Sequence, residues 1–386
     1  MDFALSDEQR MIYGYGAELA KSYNHKYWMG KARAHEFPTE MWKQAGDDGF
    51  LGIMVPEEYG GTGLGMTEMA LLMEGLSNAG IPLLALVIGP TMTMSFIAHH
   101  GSEEQKQRYL PAGCRGEMNF CFAITEADAG SNSMRINTLA KPRGNRFTLS
   151  GGKTFITGAD VADHALVVAR TTPYADVKKR TDGFTLFMVD LDAKGVERHP
   201  LKINIPAPES QCSIFFDDVD LGPENVVGQV GKGFEILFDT LNPERIVIAA
   251  MCCGIGRFAL ERAVEYSNER KVFDGPIGAY QGVQHPLAKA RTEVELASLM
   301  MRKAAWAFDN GEPAGEAANM AKYSAAEAGI AAVDAALQCH GGNGFTEDYG
   351  IYELYPLVRL MRTAPVNREL ILSYIGEKVM GLPRSY

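Results

Sequence analysis

Apolar and polar positions fall into three textures along the chain. Over residues 1–115 the apolar side chains recur at helical spacing. Met11, Tyr13, Ala17 and Leu19 follow Ser6-Asp7-Glu8-Gln9, which predicts a capped amphipathic helix. Phe37-Pro38-Thr39 predicts a short helix through Trp42, and Thr67 the cap of another through Met73 and Leu76. Ser102-Glu103-Glu104-Gln105 reads as a capping box for a helix ending near Leu110-Pro111. Residues 55–63, with a proline and three glycines, read as a loop.

Residues 116–228 carry short β-prone runs instead, at 118–125, 146–149, 154–157, 165–170, 184–189 and 212–216. Turn signals part them at Pro142-Arg143-Gly144-Asn145, Ser150-Gly151-Gly152 and Asp182-Gly183. This spacing predicts a small antiparallel barrel or sandwich. From 229 the helical period returns. Asn242-Pro243-Glu244-Arg245 predicts a fresh helix start, with Asn242 as N-cap, running to about Arg270. Helices at about 282–310 and 312–340 follow, the second stopped by Gly341-Gly342-Asn343-Gly344, and a last one spans about 365–379. The predicted fold is α+β: a helical domain (1–115), a β-barrel or sandwich domain (116–228) and a domain resembling a four-helix bundle (229–386).

Composition narrows the function classes. Of 386 residues 46% are hydrophobic and 22% charged, the balance of a soluble globular protein. A net charge of -11 and a pI near 5.3 argue against nucleic-acid binding, which favours a basic face. The six cysteines form no CxxC pair, which argues against a metal site or a disulfide framework and fits a reducing compartment. The first ten residues lack the pattern of a signal or transit peptide, so a cytoplasmic location is expected. The most apolar window, 79–97, is broken by Gly80, Pro82, Gly89 and Pro90, and does not read as a membrane span.

The stretch Phe120 to Asn132 carries the strongest chemical signal. It begins as a β-prone run and ends in small and polar residues. Such a strand-to-loop break clusters backbone N–H groups and hydroxyls around an electron-rich ligand such as a flavin ring. A strand followed by a plain polar turn explains the stretch equally well by itself. Gly152-Lys153-Thr154 mimics the end of a P-loop, but position 147 is Phe where that motif needs Gly. Gly61, Gly63 and Gly65 lack dinucleotide-fingerprint spacing, and no Gly-x-Ser-x-Gly elbow occurs. His99-His100 and His340 read better as packing or helix-end residues than as ligands.

Taken together, these motifs resemble the acyl-CoA dehydrogenase family over nearly the whole chain. Residues 123–131 resemble the family's first signature, with Ala127 where Pro is usual. Lys153-Thr154-Phe155-Ile156-Thr157 is similar to the segment whose aromatic and Thr contact the flavin. Arg270-Lys271-Val272-Phe273 with Gln281-Gly282-Val283-Gln284 resembles the second signature, and Gln338 to Phe345 the third. The resemblance implies a homotetramer with one FAD per subunit. Phe122, Ile124, Thr125, Phe155 and Thr157 would line the ring, with Gly130 and Ser131 near the pyrophosphate. Arg270, Phe273, Gln281, Gln338 and Gly342 would contact FAD across a subunit interface. Asn367 and Glu369 would bind the cofactor as well, Glu369 toward its adenosine end. By residue type alone, Phe122, Phe155 and Phe273 serve equally well as core, and Arg270 as a solvated helix end.

Many members of that family carry the catalytic base in a Tyr-Glu-Gly segment, and the matching residues here are Ala364-Pro365-Val366. A subset, including the isovaleryl-CoA and long-chain dehydrogenases, places the Glu at the start of the long helix of the C-terminal domain, and Glu244 matches it. A first-turn glutamate also complements a helix dipole, but the missing carboxylate at 365 favours the catalytic role. The resemblance then implies α,β-dehydrogenation of an acyl-CoA, with Glu244 taking the α-proton. Ser131, Asn242 and Arg245 would recognise the substrate, and an electron-transfer flavoprotein would accept the electrons. An enoyl-CoA reductase, an acyl-CoA oxidase, or a flavoprotein of this fold that binds nucleic acid are the alternatives.

Overall fold

A computed structural model of the chain describes residues 4–384. The first helical section holds α1 (Asp7–Leu19), α2 (His25–Ala34), α3 (Thr39–Asp47) and α4 (Met66–Asn78). A continuous helical run follows: α5 (Leu84–Leu86), a π-helical stretch (Val87–Met94) and α6 (Ser95–His100), and then α7 (Glu103–Cys114). Ser6 and Ser102 close capping boxes with Gln9 and Gln105, as predicted. Thr67 is no cap, because α4 begins one residue before it. The N-terminus of α4 is capped from far along the chain: Asp309 accepts from the backbone N–H of Met66 at 2.6 Å and of Thr67 at 2.9 Å. Pro90 lies inside the π stretch, whose wider turn suits a residue without an N–H. The apolar window at 79–97 thus leads into a buried, bent helix. Among the described residues no helix is long and apolar enough to cross a membrane.

The middle of the chain forms an eight-stranded sheet. Its strands are β1 (Phe120–Ala123), β2 (Leu139–Arg143), β3 (Arg146–Thr157), β4 (His164–Arg170), β5 (Phe184–Asp190), β6 (Val196–Pro200), β7 (Gln211–Leu221) and β8 (Val226–Val227). The order is β6-β7-β3-β2-β4-β5-β8, with β1 beside β4. Of the two shapes expected the sandwich holds, and the antiparallel order changes. The sheet is open and sandwich-like rather than a closed barrel, and it is mixed, since β1 and β2 run parallel to β4. The runs predicted at 146–149 and 154–157 are one strand, in which Ser150-Gly151-Gly152 makes a bulge against β7 instead of a turn. Gly151 has φ +142°, and a Cβ there would stand 2.7 Å from Thr138 Cα, so a side chain does not fit.

β1, β4 and β5 are buried on both faces, which is why they read as unbroken apolar runs. Phe120, Phe122, Leu166, Val168, Leu186 and Met188 join the core shared with the helices. Cys121, Ala123, Ala165, Val167, Phe187 and Val189 close a second core with β3 and β7.

The C-terminal part holds α8 (Gly233–Ile236), α9 (Phe238–Glu269), a small hairpin of β9 (Lys271–Val272) and β10 (Gly275–Pro276), α10 (Gln281–Asp309), α11 (Gly315–His340), α12 (Leu354–Leu360) and α13 (Arg368–Tyr374). α9, α10 and α11 pack on one another, and α4 packs on α9 and α10. Glu74 of α4 is fully buried at this junction, where it accepts from Arg257 at 3.2 Å and Ser298 at 2.9 Å. Asn242 is not an N-cap. α9 begins at Phe238, and Asn242 and Pro243 lie inside it. Glu244 therefore sits in the second turn of α9 rather than at its start. The sequence pattern misplaces this boundary because Pro243, a strong start signal, is accommodated within the helix.

Candidate active site

The loop after β1 is fixed by a buried ion pair. The Glu126 carboxylate accepts from the backbone N–H of Asn137 at 2.6 Å and Thr138 at 3.0 Å, and from Lys153 Nζ at 2.9 Å. Lys153 also donates to the Ile124 carbonyl at 2.9 Å, and its side chain is fully buried. Burial pushes Lys153 down to about 8, against the pull of Glu126. Burial works to raise the Glu126 carboxyl, but Lys153 and the backbone donors outweigh it and hold it below the usual range. The Thr154 N–H donates to the Thr125 carbonyl at 2.9 Å, so the end of β1 lies against the end of β3.

This arrangement gathers the predicted ring-lining residues. Phe122 is buried in the core shared with the helices, while Ile124, Thr125 and Thr157 are half-buried. Thr157 Oγ1 and the Gln211 side-chain amide hydrogen-bond each other at 2.9–3.1 Å. Phe155 is 62% exposed and has φ 56°, a conformation that a bulky residue adopts only under constraint. Gly130 and Ser131 are exposed on the next loop. That loop is held by Arg170, a buried guanidinium that donates to the carbonyls of Met134 (2.6 Å), Ile136 (3.2 Å), Arg180 (3.1 Å) and Asp182 (2.8 Å). Asn367 reaches the same loop. Its Oδ1 accepts from Leu370 N–H at 2.8 Å as the N-cap of α13, while its Nδ2 contacts Ser131. Glu369 is exposed in the first turn of α13 and pairs with Arg368 at 2.9 Å.

The remaining predicted contacts lie elsewhere in the subunit. Arg270, Phe273, Gln281, Gln338 and Gly342 are all exposed. Tyr266 stacks on His340 at 4.4 Å and accepts from Asn343 Nδ2 at 3.0 Å, which brings the ends of α9 and α11 together. Among the described residues no hydrogen bond, ion pair or ring contact joins this group to Thr125, Ser131 or Phe155.

Glu244 is half-buried on α9, and among the described residues no hydrogen bond or ion pair holds its carboxylate. Burial pushes its carboxyl up to about 7, while Arg245 and Lys322 pull the other way. Arg245 Nη1 donates to Asn242 Oδ1 at 2.8 Å, and the guanidinium lies 5.9 Å from the Phe238 ring centre. Among the described residues its Nε has no partner, and burial lowers its proton affinity. Lys322 on α11 is 1% exposed, and its Nζ donates to the Val366 carbonyl. Three residues that shape these sites were not singled out from sequence: Glu126, Arg170 and Lys322. Lys153 enters that reading as part of a P-loop mimic and as the first residue of the flavin-contacting segment, with no role of its own. A charged residue at an apolar position of its own element is the one signal that could have marked them.

The chain matches the acyl-CoA dehydrogenase N-terminal domain over residues 6–117, the middle domain over 121–219 and the C-terminal domain over 231–380. It belongs to the acyl-CoA dehydrogenase family, whose members are FAD-dependent oxidoreductases. It is 46% identical over 386 residues to an acyl-CoA dehydrogenase of Mycobacterium tuberculosis, covering 100% of this chain and 99% of that protein. It is 38% identical over 330 residues to the 3-(aryl)acrylate reductase of Clostridium sporogenes, covering 84% and 86% of the two chains. The solved structure of glutaryl-coenzyme A dehydrogenase with glutaryl-CoA superposes with a TM-score of 0.94 at 28% identity, over 100% of this chain and 98% of that one.

The residues present fit a flavin. An aromatic side chain projects from β3, hydroxyl-bearing Thr125 and Thr157 lie near it, and a Cβ built at Gly130 or Gly158 would meet nothing within 4 Å. Exposed aromatic surface beside hydroxyl groups and open backbone suits a planar ring with polar edges.

Proposed function

We propose that this chain converts an acyl-CoA thioester to the trans-2-enoyl-CoA, with Glu244 as the base that takes the α-proton. The observation that carries this reading is the Glu244 carboxylate: desolvated, free of hydrogen bonds among the described residues, and pushed up to about 7. Position 365, where many relatives place the base, is Pro. A carboxyl titrating near neutrality is ionised often enough to act and basic enough to accept a proton. Bound FAD would supply the two-electron acceptor for the β-hydride.

The protein's own residues do the rest. Phe122, Ile124, Thr125, Phe155 and Thr157 flank the ring, and Gly130 and Ser131 lie by the pyrophosphate, with Asn367 and Glu369 as further contacts. Ser131, Asn242 and Arg245 bind the CoA thioester. Arg270, Phe273, Gln281, Gln338 and Gly342 serve the FAD of a neighbouring subunit in a homotetramer. That division is supported by the outward placement of this group, apart from the residues around Phe155. Electrons leave to an electron-transfer flavoprotein, and the enzyme works in the cytoplasm. The test is anaerobic mixing of the holoenzyme with a panel of acyl-CoAs, followed by flavin bleaching. Failure of every acyl-CoA to bleach it would overturn the reading.

The similarity to a 3-(aryl)acrylate reductase favours a second reading, reduction of an enoyl thioester. The same residues serve, with protonated Glu244 donating to the α-carbon. Dithionite-reduced enzyme that reoxidises rapidly with enoyl-CoA, while oxidised enzyme ignores acyl-CoA, would select it.

A further inference from the structure

Gln211 is buried at the start of β7, opposite Thr157 at the end of β3. Both ends of its amide meet one hydroxyl. Nε2 lies 2.9 Å from Thr157 Oγ1, and Oε1 lies 3.1 Å from the same atom. Among the described residues neither end has another hydrogen-bond partner. A long, flexible side chain is thus immobilised on a single hydroxyl, which costs it rotamer freedom.

The backbone places this pair beside the predicted ring-lining residues. The ladder between β3 and β7 breaks between Lys153 and Ile156, then resumes with Ile156 opposite Cys212 and Thr157 opposite Gln211. Phe155 stands in that break, exposed and at φ 56°, as bulges re-aim side chains elsewhere. Just past Thr157, the Gly158 N–H donates to the Ser210 carbonyl at 2.8 Å. Gln211 and Thr157 therefore close the bulge that projects Phe155. On its near side Thr154 and Ser213 meet hydroxyl to hydroxyl at 3.1 Å. On the far side an amide stands in place of the second hydroxyl.

One hydroxyl cannot serve both amide ends at once. The ends share a carbon and reach Oγ1 from nearly the same side, whereas a hydroxyl's proton and lone pairs point apart. If Thr157 donates to Oε1, its proton is taken up within the sheet. If Nε2 donates to Thr157, at the shorter distance, the proton is left for an acceptor on the open side of half-buried Thr157. We infer that Gln211 is a positioning residue: its amide N–H donates to Thr157 and so turns the Thr157 hydroxyl into a donor toward the cofactor. The inference rests on the reading of Thr157 as a residue that lines the FAD ring. The ordinary alternative is a cross-strand pair that only holds β7 to β3.

The reduction potential of the bound flavin in the holoenzyme separates the two, because a hydrogen-bond donor toward the ring favours its electron-rich reduced form. Thr157→Val keeps the shape and loses the hydroxyl. It should lower the potential by about 30 mV, a tenfold change for a two-electron couple. Gln211→Met should lower it by less, since the hydroxyl remains but is no longer oriented. In the Thr157→Val background Gln211→Met should add nothing. A potential that Gln211→Met leaves unmoved, raises, or shifts equally in both backgrounds would overturn the inference. If Gln211→Met does not fold, Gln211→Asn, whose amide falls one methylene short, carries the same comparison. The reading of Thr157 fails by a different result, a potential that Thr157→Val leaves unchanged, and it takes the inference with it.

Discussion

Asn367 donates from Nδ2 to Ser131 Oγ at 2.6 Å, across 236 residues of sequence. One side chain thereby caps α13 with its oxygen and fixes the loop after β1 with its nitrogen. Asn367→Ala removes both, and Asn367→Asp removes only the donor. Loss of an N-cap costs about 1 kcal/mol. The Ala variant should melt at a lower temperature and release FAD more readily. The Asp variant should keep the parental melting temperature and still release FAD, as read by fluorescence of the freed flavin. Normal retention by both would remove Asn367 from the cofactor site.

Glu244→Gln keeps size and hydrogen-bonding capacity but not the basic oxygen. Flavin reduction by acyl-CoA should slow by about 10²–10⁴-fold, with the flavin spectrum intact. Glu369→Gln should weaken FAD binding and leave the reduction rate near normal. The opposite pattern would reverse the two assignments.

The pH dependence follows from the same carboxyl. Burial raises its proton affinity, to about 7, and on the proposed reading the ionised form acts as the base. The rate of flavin reduction should therefore rise as pH passes through about 7 and level off above it. Stopped-flow rates that are flat between pH 6 and 8 would contradict this.

Arg270 is exposed as the C-cap of α9, and among the described residues no hydrogen bond or ion pair holds its guanidinium. Arg270→Ala should lower FAD occupancy while each subunit stays folded by circular dichroism. A monomer by sedimentation that retained FAD normally would sink the shared-site reading.

Lys153 and Glu126 form a pair with almost no solvent contact. Lys153→Met strands a buried carboxylate, a defect that costs about 3–5 kcal/mol. Urea unfolding should show that loss, and the double variant with Glu126→Gln should recover part of it. If the double variant is no more stable than Lys153→Met, the pair is not the source of the loss.

The three-part order of the fold was legible because helical and strand periods differ visibly and each part is long. The boundary near Glu244 was not, because Pro243 reads as a start signal and the helix passes through it. β2 and β6 escaped because their outward residues, such as Lys141 and Glu197, interrupt any apolar run. Phe155, Thr157 and Ser131 were picked out as candidates through resemblance, and Glu244 through a missing residue elsewhere. Lys322 and Arg170 were not, since a charged side chain in sequence carries no mark of burial.

The two cores also differ in when their members become available during synthesis. α4 leaves the ribosome with residue 78, yet its partner α9 starts only at 238. The buried members of the second core all lie between Cys121 and Leu221, so the β domain can close that core while α9 has yet to emerge. Until then α4 has α1 to pack on but not α9 or α10, so the face of α4 that those two helices cover stays open in the growing chain.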